Sequence, residues 1–190
     1  MINGENKVGY SLHRVRPKFD AGEIYKIIDV ELEENETYQS ARKRLQNKLC
    51  DQLENIFFDI VTNNLKAVAQ NDNDVVYNCK LRQSDGDIDW NNSTSYIMGL
   101  FRVFNGGTGI RLFDKNFRPY EIINMTPANE IANSIGVPGS IVNNYDNGAV
   151  LIKTKDTAVK VYELIDESGK RIKPAEIFKI GMRLKSKRKD

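Results

Sequence analysis

The only histidine of the chain, His13, stands seven residues before an aspartate, Asp20, in the stretch GYSLHRVRPKFDAGEIYKI. Imidazole and carboxylate groups are the pair that enzymes use most often for proton transfer near neutral pH. His13 lies inside a β-rich run, where side chains alternate, so it points away from the side that Leu12 faces and is interpreted as a strand residue. Asp20 lies in the turn that follows, and such loops often carry function. By residue type alone, a structural turn is the favoured interpretation of Asp-Ala-Gly at 20–22.

Other residues that could form a phosphate-binding or metal site are excluded from that role by their spacing. GGTG at 106–109 lacks both the GxGxxG pattern and the P-loop lysine, and indicates a flexible turn. SDGDIDW at 84–90 resembles an acidic cation loop, but Tyr96 stands where an EF-hand requires glutamate. Cys50 and Cys79 have no metal-ligand spacing, and one histidine makes a zinc site of the usual kind improbable. We therefore predict no metal.

Composition indicates an ordinary globular protein. The 190 residues include 28 Lys and Arg against 26 Asp and Glu, a formal charge of +2 that by itself implies neither nucleic acid nor membrane. No apolar run approaches a membrane span, and MINGENK lacks the apolar core of a signal peptide. The two cysteines fit a reducing, cytoplasmic compartment. The basic end RLKSKRKD is expected to be a solvated tail, with a polyanion contact as the alternative.

The elements that must position Asp20 are two strands and a long helix. Runs 8–15 and 23–32 are β-rich, and the second is nearly all apolar at its centre, which predicts a strand buried on both faces of an α/β sheet. Thr37 is a predicted N-cap. The helix ends at Asn63 and Asn64, and its apolar stripe is Ala41, Leu45, Leu49, Leu53, Ile56 and Ile60.

The second half of the chain changes to short strands. A helix is predicted over 91–104 with Ile97, Leu100, Phe101 and Phe104 as its buried stripe. Five or six short strands follow, with a hairpin turn at Asp146-Asn147-Gly148, and they predict a small barrel or sandwich. Pro174 opens a short final helix. The predicted divisions are 1–75, a linker with a helix at 76–104, and 105–190.

The first division supplies too few strands to cover both sides of a parallel sheet. It therefore resembles the end of a domain rather than a whole one. A sheet face left without a cover would be apolar and exposed, which predicts a homodimer or a missing N-terminal half.

Taken together, these strings resemble the 10-formyltetrahydrofolate-dependent formyltransferases. Residues 9–27 are similar to the family segment G-V-T-[IL]-H-x-x-x-x-x-x-D-x-G-x-I, and LRQSDGDIDW is similar to R-x-x-[DE]-D-G-x-I-x-W. IMGLFRVF resembles the family's N-x-[IV]-R-A helix, and the part from PGSIV to EIFKIGMRL resembles the C-terminal barrel. The first two elements are most similar to the branch that formylates sugar nucleotides.

The resemblance implies an α/β fold in which the end of a Rossmann-like catalytic domain is followed by a small OB-like β-barrel. It implies that Asp20 is a catalytic residue and that the loop Arg16, Pro17, Lys18, Phe19 and Asp20 lines the 10-formyltetrahydrofolate site. Arg82 and Arg102 match family positions and are implied to bind substrate. His13 matches a position outside the catalytic set.

In this family, formyl transfer is attack by a free amine on the formyl carbon through an oxyanion. A histidine base takes the amine proton, an amide stabilises the oxyanion, and a carboxylate supports the histidine. The sequence has no Asn-x-His segment and no Ser-Leu-Leu-Pro loop. We therefore expect part of a formyltransferase for the amine of a nucleotide-linked amino sugar, inactive alone. The alternatives are the C-terminal part of a methionyl-tRNA formyltransferase, with tRNA as partner, and a non-catalytic binding module derived from the family.

Overall fold

The computed structural model describes residues 1–33, 36–71, 73, 76, 78–129 and 136–186. The chain forms two compact units, one of Glu5–Lys80 and one that combines Met1–Gly4 with Leu81–Asp190. Asp72 and Asp74, and residues 187–190 of the basic end, lie outside the described residues. No helix of the described residues is long and apolar enough to cross a membrane.

The unit Glu5–Lys80 is a β-hairpin covered by one helix. Its elements are β1 (Lys7–His13), β2 (Ile24–Glu31) and α1 (Tyr38–Val61). The two strands are antiparallel, with Tyr10 opposite Ile28. Side chains from one face of the hairpin form a core with the apolar stripe of α1, as its periodicity predicts. This core contains Ile28, Leu45 and Ile56, with Val8, Tyr10, Leu12, Val30, Leu49, Ile60 and Leu65 packed against it.

The prediction that the second strand is buried on both faces is wrong for the described chain. Only Ile28 of β2 is buried, because α1 covers one side of the hairpin. The opposite side is also not the apolar face that we expected. Its exposed positions are small or charged, and Ile27, 58% exposed, is the large apolar exception. These positions are Lys7, Gly9, Ser11, Asp29 and Glu31.

Helix α1 begins as the sequence predicts. The Thr37 hydroxyl accepts a hydrogen bond from the Ser40 N–H, and the Ser40 hydroxyl accepts one from the Thr37 N–H. This reciprocal pair satisfies donors that an uncapped helix would expose. Arg44 and Lys48 then tie the helix to β2 by donating to the backbone carbonyls of Glu31 and Asp29.

The second unit is a curled antiparallel sheet with short helices around it, in agreement with the predicted barrel. Its elements are a 3₁₀ turn (Gln83–Gly86), α2 (Thr94–Phe104), β3 (Arg111–Phe113), β4 (Pro119–Ala128), β5 (Ile141–Asn144), β6 (Val150–Lys153), β7 (Ala158–Ile165), β8 (Arg171–Ile172) and α3 (Pro174–Ile177). The sheet order is β3-β4-β7-β6-β5, with β8 paired to β7. Gly148, with φ of +84°, makes the predicted turn between β5 and β6.

The segment 182–185 joins the two edges of this sheet. On one side, the Leu184 N–H donates to the Gly139 carbonyl, and Met182 accepts at its carbonyl from the Ile141 N–H. On the other side, the Lys185 N–H donates to the Phe113 carbonyl of β3. The first residues of the predicted basic tail are therefore part of the barrel wall.

Helix α2 belongs to the core of this unit. All four residues of its predicted stripe are buried together with Trp90 and the inner side chains of the sheet. The predicted divisions place this helix in a linker, but its packing ties it to the barrel that follows. Asp156, in the turn between β6 and β7, accepts hydrogen bonds from the Thr94 N–H at 2.8 Å and the Thr157 N–H at 2.9 Å. The hydroxyls of Thr94 and Thr154 donate to the same oxygen at 3.1 Å.

We predict that Asp156→Asn lowers stability near pH 7 by about 1 kcal/mol, the usual contribution of a helix N-terminal cap. Burial acts to raise the pKa of Asp156, but the four hydrogen bonds outweigh it and lower the pKa from 3.8 to about 2. Because the folded pKa lies below the unfolded one, the stabilisation is complete above about pH 4 and is lost as the pH falls through about 2. Denaturant unfolding at several pH values measures this.

The control is Asp146→Asn, which makes the same charge change at an exposed turn position of the same sheet. It should leave stability within about 0.5 kcal/mol of the parent. An Asp156→Asn deficit that is as large at pH 2 as at pH 7 would contradict the role of the charge.

Candidate functional site: the Asp20 loop and a basic cleft

The β1–β2 connection, residues 14–23, is folded back tightly on itself. The Arg14 N–H donates to the Glu23 carbonyl at 3.0 Å, which extends the hairpin into the loop. Gly22 is required there, because a Cβ at this position would lie 1.7 Å from the Arg14 carbonyl oxygen. The next residue, Ile24, exchanges two backbone hydrogen bonds with Val68. The loop is therefore fixed at both ends by backbone contacts.

Asp20 sits at the far end of this loop in an unusual conformation. Its φ is +53°, a region that L residues other than Asn and Asp seldom adopt. The Gln70 side-chain amide donates to the carbonyls of Asp20 and Gly22, each at 2.7 Å. A single side chain thus satisfies two carbonyls of the turn and holds the backbone that presents the Asp20 carboxylate to solvent.

His13 and Asp20 lie together, although the strand argument placed His13 apart from it. The distance between His13 Nε2 and an Asp20 carboxylate oxygen is 3.6 Å. A β-bulge between Leu12 and His13 shifts the register, so that His13 is opposite Ile24. Bulges re-aim the side chain that follows them, which simple alternation does not anticipate. The Arg14 carbonyl oxygen lies 2.9 Å from His13 Nδ1, and since a carbonyl can only accept, a hydrogen bond there is donated by Nδ1–H.

The other loop residues differ in how available they are. Arg16 forms a two-point ion pair with Glu23, whose hydrogen bond raises the pKa of the Arg16 guanidinium. The same hydrogen bond lowers the pKa of the Glu23 carboxyl, so both stay charged. Pro17 and Lys18 are exposed, and Phe19 is 94% exposed. The loop therefore offers an aromatic ring and a lysine to a ligand, while its arginine is engaged internally.

Arg82 and Arg102 lie in the other compact unit. Arg82 is exposed just before the 3₁₀ turn, and its N–H donates to an Asp85 carboxylate oxygen at 2.7 Å. Arg102 is half-buried in the last turn of α2. The neighbouring Asp87 carboxylate accepts a hydrogen bond from Arg111 Nε at 2.7 Å and forms an ion pair with Arg111 Nη2 at 2.6 Å.

A second concave region lies on the barrel, where segment 182–186 meets the turn between β3 and β4. We call it the barrel-edge cleft; its volume is about 540 Å³. It is lined by Asn91, Lys115, Arg183, Leu184, Lys185 and Ser186. An adjoining aromatic pocket of about 170 Å³ shares Lys115, Arg183 and Leu184 with it. That pocket adds Asp114, Tyr120, Ile177, Phe178 and Met182.

Sequence reasoning missed both Gln70 and the cleft. Gln70 carries no motif, since its role depends on a contact fifty residues away in the chain. The basic composition of RLKSKRKD predicts a solvated tail that includes Arg183 and Lys185. Their alternation around the buried Leu184 was the available signal, because a polar–apolar–polar run is typical of a half-buried strand.

The chain matches the family model described as formyl transferase, C-terminal domain, over residues 80–181. A methionyl-tRNA formyltransferase of Mesoplasma florum is 27% identical over 178 residues, which cover 94% of this chain and 55% of that protein. The chain thus spans about half the length of the curated relatives that it matches.

Solved structures share the fold. HypX from Aquifex aeolicus, in complex with tetrahydrofolic acid, gives a TM-score of 0.65 at 18% identity and covers 93% of this chain and 30% of that one. The N-formyltransferase from Helicobacter canadensis, in complex with folinic acid and dTDP-3-aminofucose, gives 0.60 at 16% identity, covering 84% and 56%. At these identities the likeness establishes the fold alone.

We predict that Gln70→Leu loosens the Asp20 loop without unfolding the unit. The leucine keeps a similar volume but removes both donors, so the carbonyls of Asp20 and Gly22 lose their partner. Native-state trypsin cleavage after Lys18 should rise several-fold, because cleavage follows the population of the open loop.

The matched control is Gln46→Leu, an exposed position on α1. It should leave the rate of cleavage after Lys18 unchanged. Equal cleavage of Gln70→Leu and the parent chain would contradict the role assigned to Gln70.

Proposed function

Because the chain belongs to the formyl transferase family through its C-terminal domain, we propose that it supplies the C-terminal part of an enzyme that formylates methionyl-tRNA. The formyl donor in this proposal is 10-formyltetrahydrofolate. The observation that carries it is the Asp20 carboxylate, which is exposed on a left-handed turn whose carbonyls accept hydrogen bonds from the Gln70 amide. Left-handed residues that dedicated hydrogen bonds hold in place cluster at functional sites.

In the proposed reaction, a bond forms between the acceptor amine and the formyl carbon, and the bond from that carbon to N10 of the folate breaks. The amine proton passes to a histidine base, and the folate nitrogen receives a proton in exchange. The folate supplies the activated formyl carbon. Asp20 holds the base in its orientation and favours its cationic form, because a carboxylate beside an imidazole stabilises the charged ring.

The loop residues fit a folate at some positions and not at others. Phe19 offers an exposed ring for a flat heterocycle, and Lys18 offers a cation for a carboxylate. Arg16 fits less well, because the Glu23 carboxylate already occupies its guanidinium at 2.5 Å. We therefore propose Lys18, Phe19 and Asp20 as direct contacts, with Pro17 shaping the turn and Arg16 bracing it through Glu23.

The choice of methionyl-tRNA as acceptor is supported by the relatives that cover most of this chain and by the charge of the barrel-edge cleft. Lys115, Arg183 and Lys185 line it, and in the described part of the chain no carboxylate forms an ion pair with them. Such a cluster suits RNA phosphates. An amino-sugar nucleotide is the second candidate, supported by the LHR and DAG elements around Asp20. Arg82 and Arg102 are proposed substrate contacts in either case.

The activity test is a chimera that joins this chain to the remaining N-terminal part of the Mesoplasma florum relative. We expect it to formylate methionyl-tRNA, and Asp20→Asn to lower kcat about 10²-fold, the lower range for a group that supports general base catalysis. The chain alone should give no product, since the printed sequence has no Asn-x-His segment. Formylated methionyl-tRNA is measured by acid gel or mass spectrometry.

The control in the chimera is Asp29→Asn, an exposed aspartate of β2 on the same hairpin. It should keep kcat within about two-fold. A folded chimera that formylates an amino-sugar nucleotide but no tRNA would favour the sugar candidate. One that formylates neither, with an intact loop, would favour a non-catalytic module.

A second test measures tRNA binding by the chain itself. If three cleft cations contact phosphates, log Kd should change with log salt concentration with a slope of about 2 to 3. Replacing Lys115, Arg183 and Lys185 by glutamine together should weaken binding and reduce that slope. Absence of binding at low salt would count against tRNA as the partner.

A further inference from the structure

The barrel-edge cleft has two features that a generic phosphate contact does not need. First, its cations are held on rigid backbone. Arg183 and Lys185 lie two residues apart on the segment that pairs with both sheet edges, while Leu184 between them is buried. Side chains at that spacing project to the same side, about 7 Å apart, which is close enough to share one phosphate group. Lys115, in the turn between β3 and β4, faces the same space.

That turn is itself fixed. One Asp114 carboxylate oxygen accepts hydrogen bonds from the N–H groups of Asn116 at 2.7 Å and Arg118 at 3.0 Å. The Phe117 N–H donates to the Asp114 carbonyl at 3.1 Å, and Phe117 adopts a φ of +62°. The Lys185 ammonium lies 5.7 Å from the centre of the Phe117 ring. An aromatic ring therefore lies beside one of the cleft cations, and backbone hydrogen bonds hold both walls of the cleft.

Second, the cleft continues into the aromatic pocket. Tyr120 and Phe178 pack edge to face, with ring centres 5.6 Å apart, and Met182 remains 40% exposed beside them. Methionine adapts its shape to flat rings and makes favourable contacts with them. The pocket is large enough for one planar ring system but small for a drug-sized ligand, which usually needs about 300 Å³ or more. Its charged lining residues are Asp114, Lys115 and Arg183.

The cleft thus offers three cations, and the pocket beside it offers apolar and aromatic side chains. Lys115, Arg183 and Leu184 line both, which places the two spaces side by side. An acidic peptide would use the cations but has no flat ring for the pocket. Inorganic phosphate would leave the pocket empty.

We propose that the barrel-edge cleft and the aromatic pocket together bind one nucleotide, with its phosphate at Lys115, Arg183 and Lys185 and its base against Tyr120 and Met182. The nucleotide can be free or can be one unit of an RNA strand whose base turns out of the stack. The RNA source rests on the proposed function, whereas the nucleotide chemistry does not.

The test titrates the full chain with the four nucleoside 5′-monophosphates, adenosine, inorganic phosphate and a hexamer of single-stranded RNA. We expect at least one monophosphate to bind about ten-fold more tightly than both adenosine and phosphate, because only it fills both parts. Amide chemical shifts in an NMR titration locate the ligand, and calorimetry gives the Kd. Equal binding of phosphate and all four monophosphates would overturn the proposal.

Two variants separate the parts of the site. Arg183→Gln should weaken monophosphate binding about ten-fold and leave adenosine unchanged. Met182→Gln keeps the side chain neutral and replaces the thioether by an amide, so it should weaken monophosphate but not phosphate binding. The control Lys170→Gln makes the same charge change in the exposed turn between β7 and β8 and should have no effect. Thermal unfolding of each variant confirms that the barrel is intact.

The titration with the RNA hexamer shows whether the site takes free nucleotides or a nucleotide within an RNA strand. Tighter binding of the hexamer than of any monophosphate, weakened by Met182→Gln, assigns the site to RNA. Binding of monophosphates without the hexamer assigns it to free nucleotides. If the hexamer binds and neither Met182→Gln nor Arg183→Gln affects it, the proposed site is wrong. Failure of tRNA formylation in the chimera would remove the proposed function but leave monophosphate binding standing.

Discussion

The second unit depends on one constraint, which is that the edges of its sheet must not end in unpaired backbone. An open edge exposes a row of unpaired N–H and C=O groups, and these groups can pair with a strand of another chain. Here the segment 182–185 satisfies both edges at once, with hydrogen bonds to Gly139 and Ile141 on one side and to Phe113 on the other. The enclosed core of Trp90, α2 and the inner strand residues follows from that closure. The cleft is built on the outer side of the same segment.

Much of the fold could be predicted from local patterns. The stripes of α1 and α2, the Thr37 cap, the Asn147-Gly148 turn and the Pro174 helix all rest on contacts within a few residues, and the structure has each of them. The burial of β2 could not be predicted in the same way. An apolar strand centre indicates that the strand is covered by another element, but it does not indicate whether one face or both faces are covered. Here α1 covers one face.

The candidate site likewise contains some features that local sequence patterns indicate and others that depend on distant contacts. The resemblance singles out Asp20, but the catalytic and binding roles of the loop, of Arg82 and of Arg102 remain proposals. The bulge that brings His13 to Asp20 depends on the pairing between two strands, and Gln70 acts across fifty residues of sequence. Neither leaves a local pattern. Arg183 and Lys185 did leave one, since they flank a buried leucine, but a run of basic residues obscured it.

Because glycine has no side chain, Gly22 limits which substitutions the loop accepts. Any Cβ there would collide with the backbone of Arg14, so a library that sampled every amino acid at each loop position should return glycine alone at 22. Val15 and Phe19 project into solvent and meet no such limit. The loop thus combines one position that requires glycine with exposed positions that do not. In the proposed folate contact, Phe19 can therefore be varied without disturbing the backbone that carries Asp20.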